Sequence, residues 1–168
     1  MTMTSKLNIR SDSLDWRGAI LSNLAYTPFR IGRVQFKCVE GALQGIKLSP
    51  PHMQKNIFAM SGLNALRAGR RAVRRPFQNS VQSYVYWQGE VIEYNSLEHR
   101  LLIAMFIGEK VRQNPRVQQA LLETEGTFIF HDVGGVENPH TSLPEKFYIE
   151  VLLTQRRLLK KLHKIRTV

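Results

Sequence analysis

Cysteine is almost missing from this chain. Cys38 stands alone, which excludes an internal disulfide and leaves no thiolate set for a structural zinc site. Its place beside Val39 reads as a buried, inert thiol, and a reduced intracellular compartment is expected from such cysteine usage. Long apolar runs are missing too. The longest, Leu101 to Ile107, is far short of the roughly 20 residues that span a bilayer. Met1 to Ser13 is polar without an apolar stretch, so neither a signal peptide nor a membrane anchor is expected, and a cytoplasmic location is. No grouping of His, Cys and acidic residues has metal-ligand spacing, and no Gly-x-Ser-x-Gly, Walker or dinucleotide fingerprint occurs. The expectation is therefore no metal and no bound cofactor.

Acidic residues are scarce relative to basic ones: 13 Asp and Glu face 24 Lys and Arg, for a net charge of +11. Such an excess attracts polyanions, whether nucleic acid or nucleotide phosphates. The charge gathers in two blocks, Arg67, Arg70, Arg71, Arg74 and Arg75, and then Arg156, Arg157, Lys160, Lys161, Lys164 and Arg166. Each block also reads as an ordinary solvated face. The hydrophobic share of 43% is enough for a packed core, and the length suits one domain.

The patterning predicts an α+β fold, a predominantly helical single domain with short β-hairpins. Residues 1–15 read as a flexible N-terminal arm and 16–168 as the domain. Ala25 to Phe36 reads as a hairpin turning near Gly32, and Val81 to Tyr94 as a second one turning at Gln88-Gly89-Glu90. Helices are predicted from Val39 to about Leu48, where Pro50-Pro51 stops the pattern, and from Asn56 to Arg75, weakened by Gly62 and Gly69. Asn95 with Glu98 reads as a capping box opening a central helix to about Arg112, with Leu101, Leu102, Met105, Phe106 and Ile107 buried. His99 and His163 look like surface helix residues. A short helix follows Asn114-Pro115, then a strand over Thr127 to Phe130. A last helix opens at Ser142 with Glu145, its apolar side running from Phe147 to Ile165.

The helix from Val39 carries the candidate chemistry. At 100° per residue, Glu40 and Lys47 fall within about 20° of each other with Gln44 between them, beside the apolar side of Val39, Leu43 and Ile46. Partial burial there would move both pKa values, and a lysine lowered by burial is a neutral nucleophile. Spacing alone fits a solvated Glu/Lys face as well.

A set of segments in order gives this helix a context. Leu21-Ser22-Asn23-Leu24, Pro28-Phe29, and Val39-Glu40-Gly41-Ala42-Leu43-Gln44-Gly45-Ile46-Lys47 resemble the signature of the NADAR family of YbiA-like N-glycosidases. Lys110 to Pro115, Ala120 to Thr124 and Leu152 to Arg156 are similar to its later segments, so that the resemblance covers roughly residues 18 to 160. It implies a cleft for an ADP-ribose-like nucleotide or an ADP-ribosylated nucleobase, and cleavage of an N-glycosidic bond to ribose. Glu40 matches the family's acid/base carboxylate and Lys47 its functional lysine; Asn23 matches a family position and is a candidate to hydrogen-bond the ligand or equally to form a turn, and Phe29 and Gln44 are further binding candidates. The chain departs from the family in lacking its Asp-Trp pair before the central helix and its Trp-Gly loop near the C-terminus.

Further binding candidates are Arg70 as a phosphate clamp, and Trp87 or Tyr94 stacked on a base, although both aromatics also suit a core. His131 and Asp132 are candidates to line the pocket or hold ribose hydroxyls, or equally to make an Asp-x-Gly turn. Three readings follow: an N-glycosidase, a non-catalytic ADP-ribose or NAD sensor, and a basic nucleic-acid-binding module.

Overall fold

The computed structural model describes residues 5–74 and 83–166. In chain order the elements are β1 (Lys6–Asn8), α1 (Trp16–Leu21), β2 (Phe29–Ile31), β3 (Val34–Phe36), α2 (Val39–Gly45), α3 (Pro51–Phe58), α4 (Gly62–Arg74), β4 (Tyr84–Trp87), β5 (Glu90–Glu93), α5 (Leu97–Gln113), α6 (Pro115–Leu122), β6 (Phe128–Phe130) and α7 (Glu145–Arg166). The described strands form three separate pairs: β2–β3 and β4–β5 are antiparallel hairpins, and β1–β6 is parallel. Helices thus dominate, and the α+β expectation holds.

Both hairpins form where turn chemistry placed them. Gly32 takes φ +56° in the first, and Gln88 and Gly89 both take positive φ in the second, the mirror-type geometry that two-residue hairpin turns require. Val81, the expected start of the second hairpin, lies outside the described residues, as does Arg75 at the end of the helix expected from Asn56. That helix is two: α3 starts at Pro51, a residue suited to a first helical turn, and α4 restarts at Gly62 with φ +58°.

The arm expected over residues 1–15 is not loose from Lys6 onward. Leu7 pairs with Ile129 across the parallel ladder, and Leu7 and Ile9 are buried in the core. The short alternation of Leu7 and Ile9 is strand periodicity, too brief to register against a polar background.

The central helix is α5, but its buried stripe is not the most apolar set of its residues. His99, Leu102, Ile103, Phe106, Ile107, Lys110 and Val111 point inward at helical period, whereas Leu101 and Met105 are exposed. Its N-cap is Ser96, whose hydroxyl accepts from the His99 N–H, one residue after the expected Asn95, which instead takes φ +61°. Above α5 lies an aromatic cluster. Phe36 stacks on Phe29 at 4.8 Å and meets Phe58 at 4.6 Å and Phe106 at 5.4 Å, with Trp87 edge-on to Phe106 at 5.4 Å.

Helix α2 is buried along its whole length, and glycines make that possible. A Cβ at Gly45 would stand 2.3 Å from the Phe58 ring, and one at Gly69 of α4 would stand 2.4 Å from the Gln44 Cβ. Both glycines let neighbouring helices approach α2 more closely than any side chain allows. Gly45→Ala should therefore lower stability by about 1–3 kcal/mol through overpacking, despite the roughly 1 kcal/mol of helix propensity that alanine adds. Urea unfolding of wild type and variant measures this, and a gain in stability would contradict the packing.

Candidate functional site

The polar residues at the candidate site are carried by α2 and the turn after it. Helix α2 opens at Cys38, whose Sγ accepts from the Gly41 N–H at 3.2 Å, and burial pushes that thiol's pKa up. Glu40 lies in the first turn, where the exposed N–H groups favour a carboxylate. It is buried, with both oxygens engaged. The Asn23 side-chain amide donates to Oε2, and the Gln44 amide donates to Oε1 at 2.8 Å. The Glu40 N–H in turn donates to the Asn23 carbonyl at 2.9 Å. Gln44 then passes its own oxygen to the next group, accepting from Lys47 Nζ at 3.2 Å. The result is a continuous chain, Asn23–Glu40–Gln44–Lys47.

Lys47 does not lie on the helix as expected. The helical span ends at Gly45, and Lys47 follows in a tight turn, its N–H donating to the Gln44 carbonyl at 3.3 Å. The turn keeps it beside Gln44. Partial burial pushes its ammonium below the ordinary lysine range; the Glu40 carboxylate opposes that shift, and the Arg70 guanidinium adds to it. Arg70 is exposed on α4, on the same face as exposed Arg67 and Arg71. Two cations thus act on one another at the rim of this chain of side chains.

One residue of the neighbourhood was misread from sequence. His99 is wholly buried rather than on the surface. Its Nδ1 accepts from the Asn95 N–H at 2.9 Å, which puts the proton of the neutral ring on Nε2, and Nε2 is buried without a hydrogen-bond partner among the described residues. Burial, with the charge of Lys47 next and then Arg100, pushes its pKa down to about 4. The helical period of α5 was the signal that could have found it.

The other candidates separate. Tyr94 backs His99, ring centroids 5.0 Å apart, and its hydroxyl donates to the His140 carbonyl at 3.0 Å. Phe29 is corrected to core, buried in the aromatic cluster; Trp87 packs in the same cluster, one of the two readings open for it, and also lines a cavity. His131 and Asp132 serve the N-terminal strand. The His131 ring meets the Ile9 carbonyl at 2.6 Å, while Asp132 makes the Asp-x-Gly turn by accepting from the Gly134 N–H at 2.7 Å. A cavity of about 360 Å³ opens between α3 and the β4–β5 turn, with Gln54, Lys55, Tyr86 and Trp87 in its wall; Lys47 and Glu40 do not line it. Among the described residues no cluster of His, Cys, Asp and Glu could hold a metal ion, and no helix is long and apolar enough to cross a membrane.

Residues 15–157 match the family described as bacteriophage protein GP30.3. The chain belongs to this family. A relative from enterobacteria phage T4, described as an uncharacterized 17.1 kDa protein in the Gp30-rIII intergenic region, is 33% identical over 149 residues, covering 88% of this chain and 95% of the relative. Among solved structures, the NMR structure of the E. coli protein YbiA superimposes with a TM-score of 0.64 over 98% of this chain and 90% of that one, at 16% identity. The resemblance to YbiA-like proteins therefore holds at the level of the fold, across nearly the whole chain.

The buried histidine has a measurable consequence. Its folded-state pKa lies below its unfolded value of about 6.5, so between those two values the unfolded chain binds the extra proton. Stability is then fully present above the unfolded pKa, falls as pH drops toward about 4, and levels off below. The expected loss is at most about 3.5 kcal/mol. Urea midpoints across this window for wild type and His99→Phe isolate the contribution: the variant should show a shallower decline, and an identical decline would contradict the assignment.

Proposed function

We propose that this chain cleaves an N-glycosidic bond between a base and a phosphorylated ribose, with an ADP-ribose-like nucleotide or an ADP-ribosylated nucleobase as substrate, Lys47 as the nucleophile and Glu40 as its acid/base partner. The observation that carries this reading is the Asn23–Glu40–Gln44–Lys47 chain, which couples a lysine lowered by burial to a buried carboxylate. The free amine is the nucleophile, and a lysine pushed down by burial holds a larger share of it at a given pH than an exposed one.

The chemistry balances within the pair. Lys47 gives one proton to solvent and Glu40 takes one up, so that the pair, with the Gln44 amide between its members, reaches a neutral amine and a carboxylic acid without changing its net charge. The amine attacks C1 of the ribose. As the C1–N bond to the base breaks, its electron pair leaves with the base, which takes the Glu40 proton. Glu40, again a carboxylate, then draws a proton from water as that water attacks C1 and frees the lysine. Asn23 and Gln44 hold the carboxylate in place through the cycle. The exposed guanidiniums of Arg67, Arg70 and Arg71 suit the phosphates of such a substrate, since an anion between Arg70 and Lys47 relieves their mutual repulsion. Phe29 and Trp87 take no part in base stacking on this reading, and the buried Nε2–H of His99 is a donor near Lys47.

The test is a substrate panel of NAD, ADP-ribosylated guanosine and ribosylaminopyrimidine phosphates, with base release followed by chromatography. Release should fall by about 10²–10⁴ in Lys47→Ala and in Glu40→Gln, and its rate should fall as pH rises through a midpoint below the ordinary lysine value, where the pair gives up the proton that the leaving base takes. Saturable binding without release would turn the reading into a sensor. Salt-sensitive binding to plain oligonucleotides, indifferent to Lys47→Ala, would replace it with nucleic-acid binding.

A further inference from the structure

The last turns of α7 leave apolar side chains uncovered. Leu158, Leu162 and Ile165 recur at helical period and are exposed, whereas the corresponding positions of the first half, Tyr148, Val151 and Leu152, are buried. Helix α5 runs alongside in the same direction. Its Arg100 guanidinium lies 5.9 Å from the centre of the Phe147 ring, and a Cβ at Gly108 would stand 3.3 Å from Gln155 Nε2. Between the two helices opens a groove of about 470 Å³. Buried Val111 and Leu159 line it with Gly108, exposed Met105, Leu158 and Leu162 stand around them, and the Glu109–Arg112 ion pair, whose charges offset, is also in its wall.

A second stripe runs beside the first. Arg157 and Lys161 precede Leu158 and Leu162 by one residue each, about 100° around the helix, and both are exposed. Residues 156–166 hold six Lys and Arg and no Asp or Glu. An occupant that satisfies both stripes must bring apolar and acidic side chains together. A bilayer is flat and would leave the concave floor untouched. A nucleic acid would use the cations and leave the leucines idle, and a second copy of this chain would set cation against cation.

We propose that the α5–α7 groove docks an amphipathic helix of an acidic protein partner. Apolar side chains at i, i+3 or i+4, and i+7 of that helix fill the space between Met105 and Leu162, and its flanking carboxylates meet Arg157 and Lys161. This surface is separate from the Glu40–Lys47 chain and stands whether or not the glycosidase reading holds.

The probe is a fluorescein-labelled helical peptide with leucines at that spacing and glutamates on both flanks, titrated with the full chain and read by fluorescence anisotropy. A scrambled peptide of the same composition is the control. The patterned peptide should bind saturably. Affinity should drop about tenfold or more for the scrambled peptide, for Leu162→Glu and for Lys161→Glu, and stay unchanged for Lys146→Glu at the other end of α7. The substituted side chains are exposed, and thermal melts of the variants should match wild type. Equal binding of both peptides, or a Leu162→Glu variant that binds like wild type, would reduce the groove to plain surface charge and overturn the proposal. So would tighter binding of anionic lipid vesicles or duplex oligonucleotide through the same residues.

Discussion

A lysine buried in the centre of the molecule ties the candidate site to the fold. Lys110, on the inward stripe of α5, is wholly buried and donates to the carbonyls of Leu21 and Ser22 at 2.9 and 2.7 Å, while the Tyr148 hydroxyl of α7 donates to the same Leu21 carbonyl at 2.6 Å. These are the last carbonyls of α1, which the helix itself leaves unpaired and which attract positive charge. Burial pushes Lys110 down to about 7, and the two acceptors supply what the ammonium form loses in water. Asn23 follows directly. Its carbonyl and its amide both engage Glu40, so three helices far apart in sequence are joined at the point where α2 begins. Removing one partner of such a buried set costs more than the set contributes on balance, which makes the position hard to vary.

Around that anchor, α2 has no solvent side. Gly41 faces the carbonyls of Met60 and Ile57, Gly45 faces Phe58, and Gln44 meets Gly69 of α4. A seven-residue helix has little stability alone, and here its geometry is imposed by packing. The consequence for chemistry is rigidity. The carboxylate and the amide between it and Lys47 are held by neighbours that cannot shift without opening the core, the condition under which preorganised polar groups are most effective.

Much of this was legible in the sequence where local signals were strong. The hairpin at Gly32 and the proline-led α6 follow from turn residues and caps alone, whereas spacing left Glu40 and Lys47 open between a site and a solvated face, and the family resemblance singled them out. Other features were set by tertiary contact. The parallel pairing of Lys6 to Asn8 with Phe128 to Phe130 joins strands more than a hundred residues apart and leaves no local trace beyond two alternating apolar residues. On α5, counting hydrophobicity placed Leu101 and Met105 inside, whereas the period that runs through His99 and Lys110 was the better guide. Trp87 was ambiguous because aromatic side chains suit a ligand wall and a core alike, whereas Phe29 was placed near the ligand by its Pro-Phe segment and is core. The end of α2 at Gly45 rather than Leu48 moved Lys47 off the helix without separating it from Gln44.

The account turns on whether Lys47 is chemically distinct from the surface lysines. Incubating the full chain with ADP-ribose and sodium cyanoborohydride, then mapping adducts by peptide mass spectrometry, tests this directly, because only an unprotonated amine forms the imine that the reductant traps. The account predicts an adduct concentrated on Lys47 and forming first there. Modification spread evenly over exposed lysines, with Lys47 untouched, would contradict it.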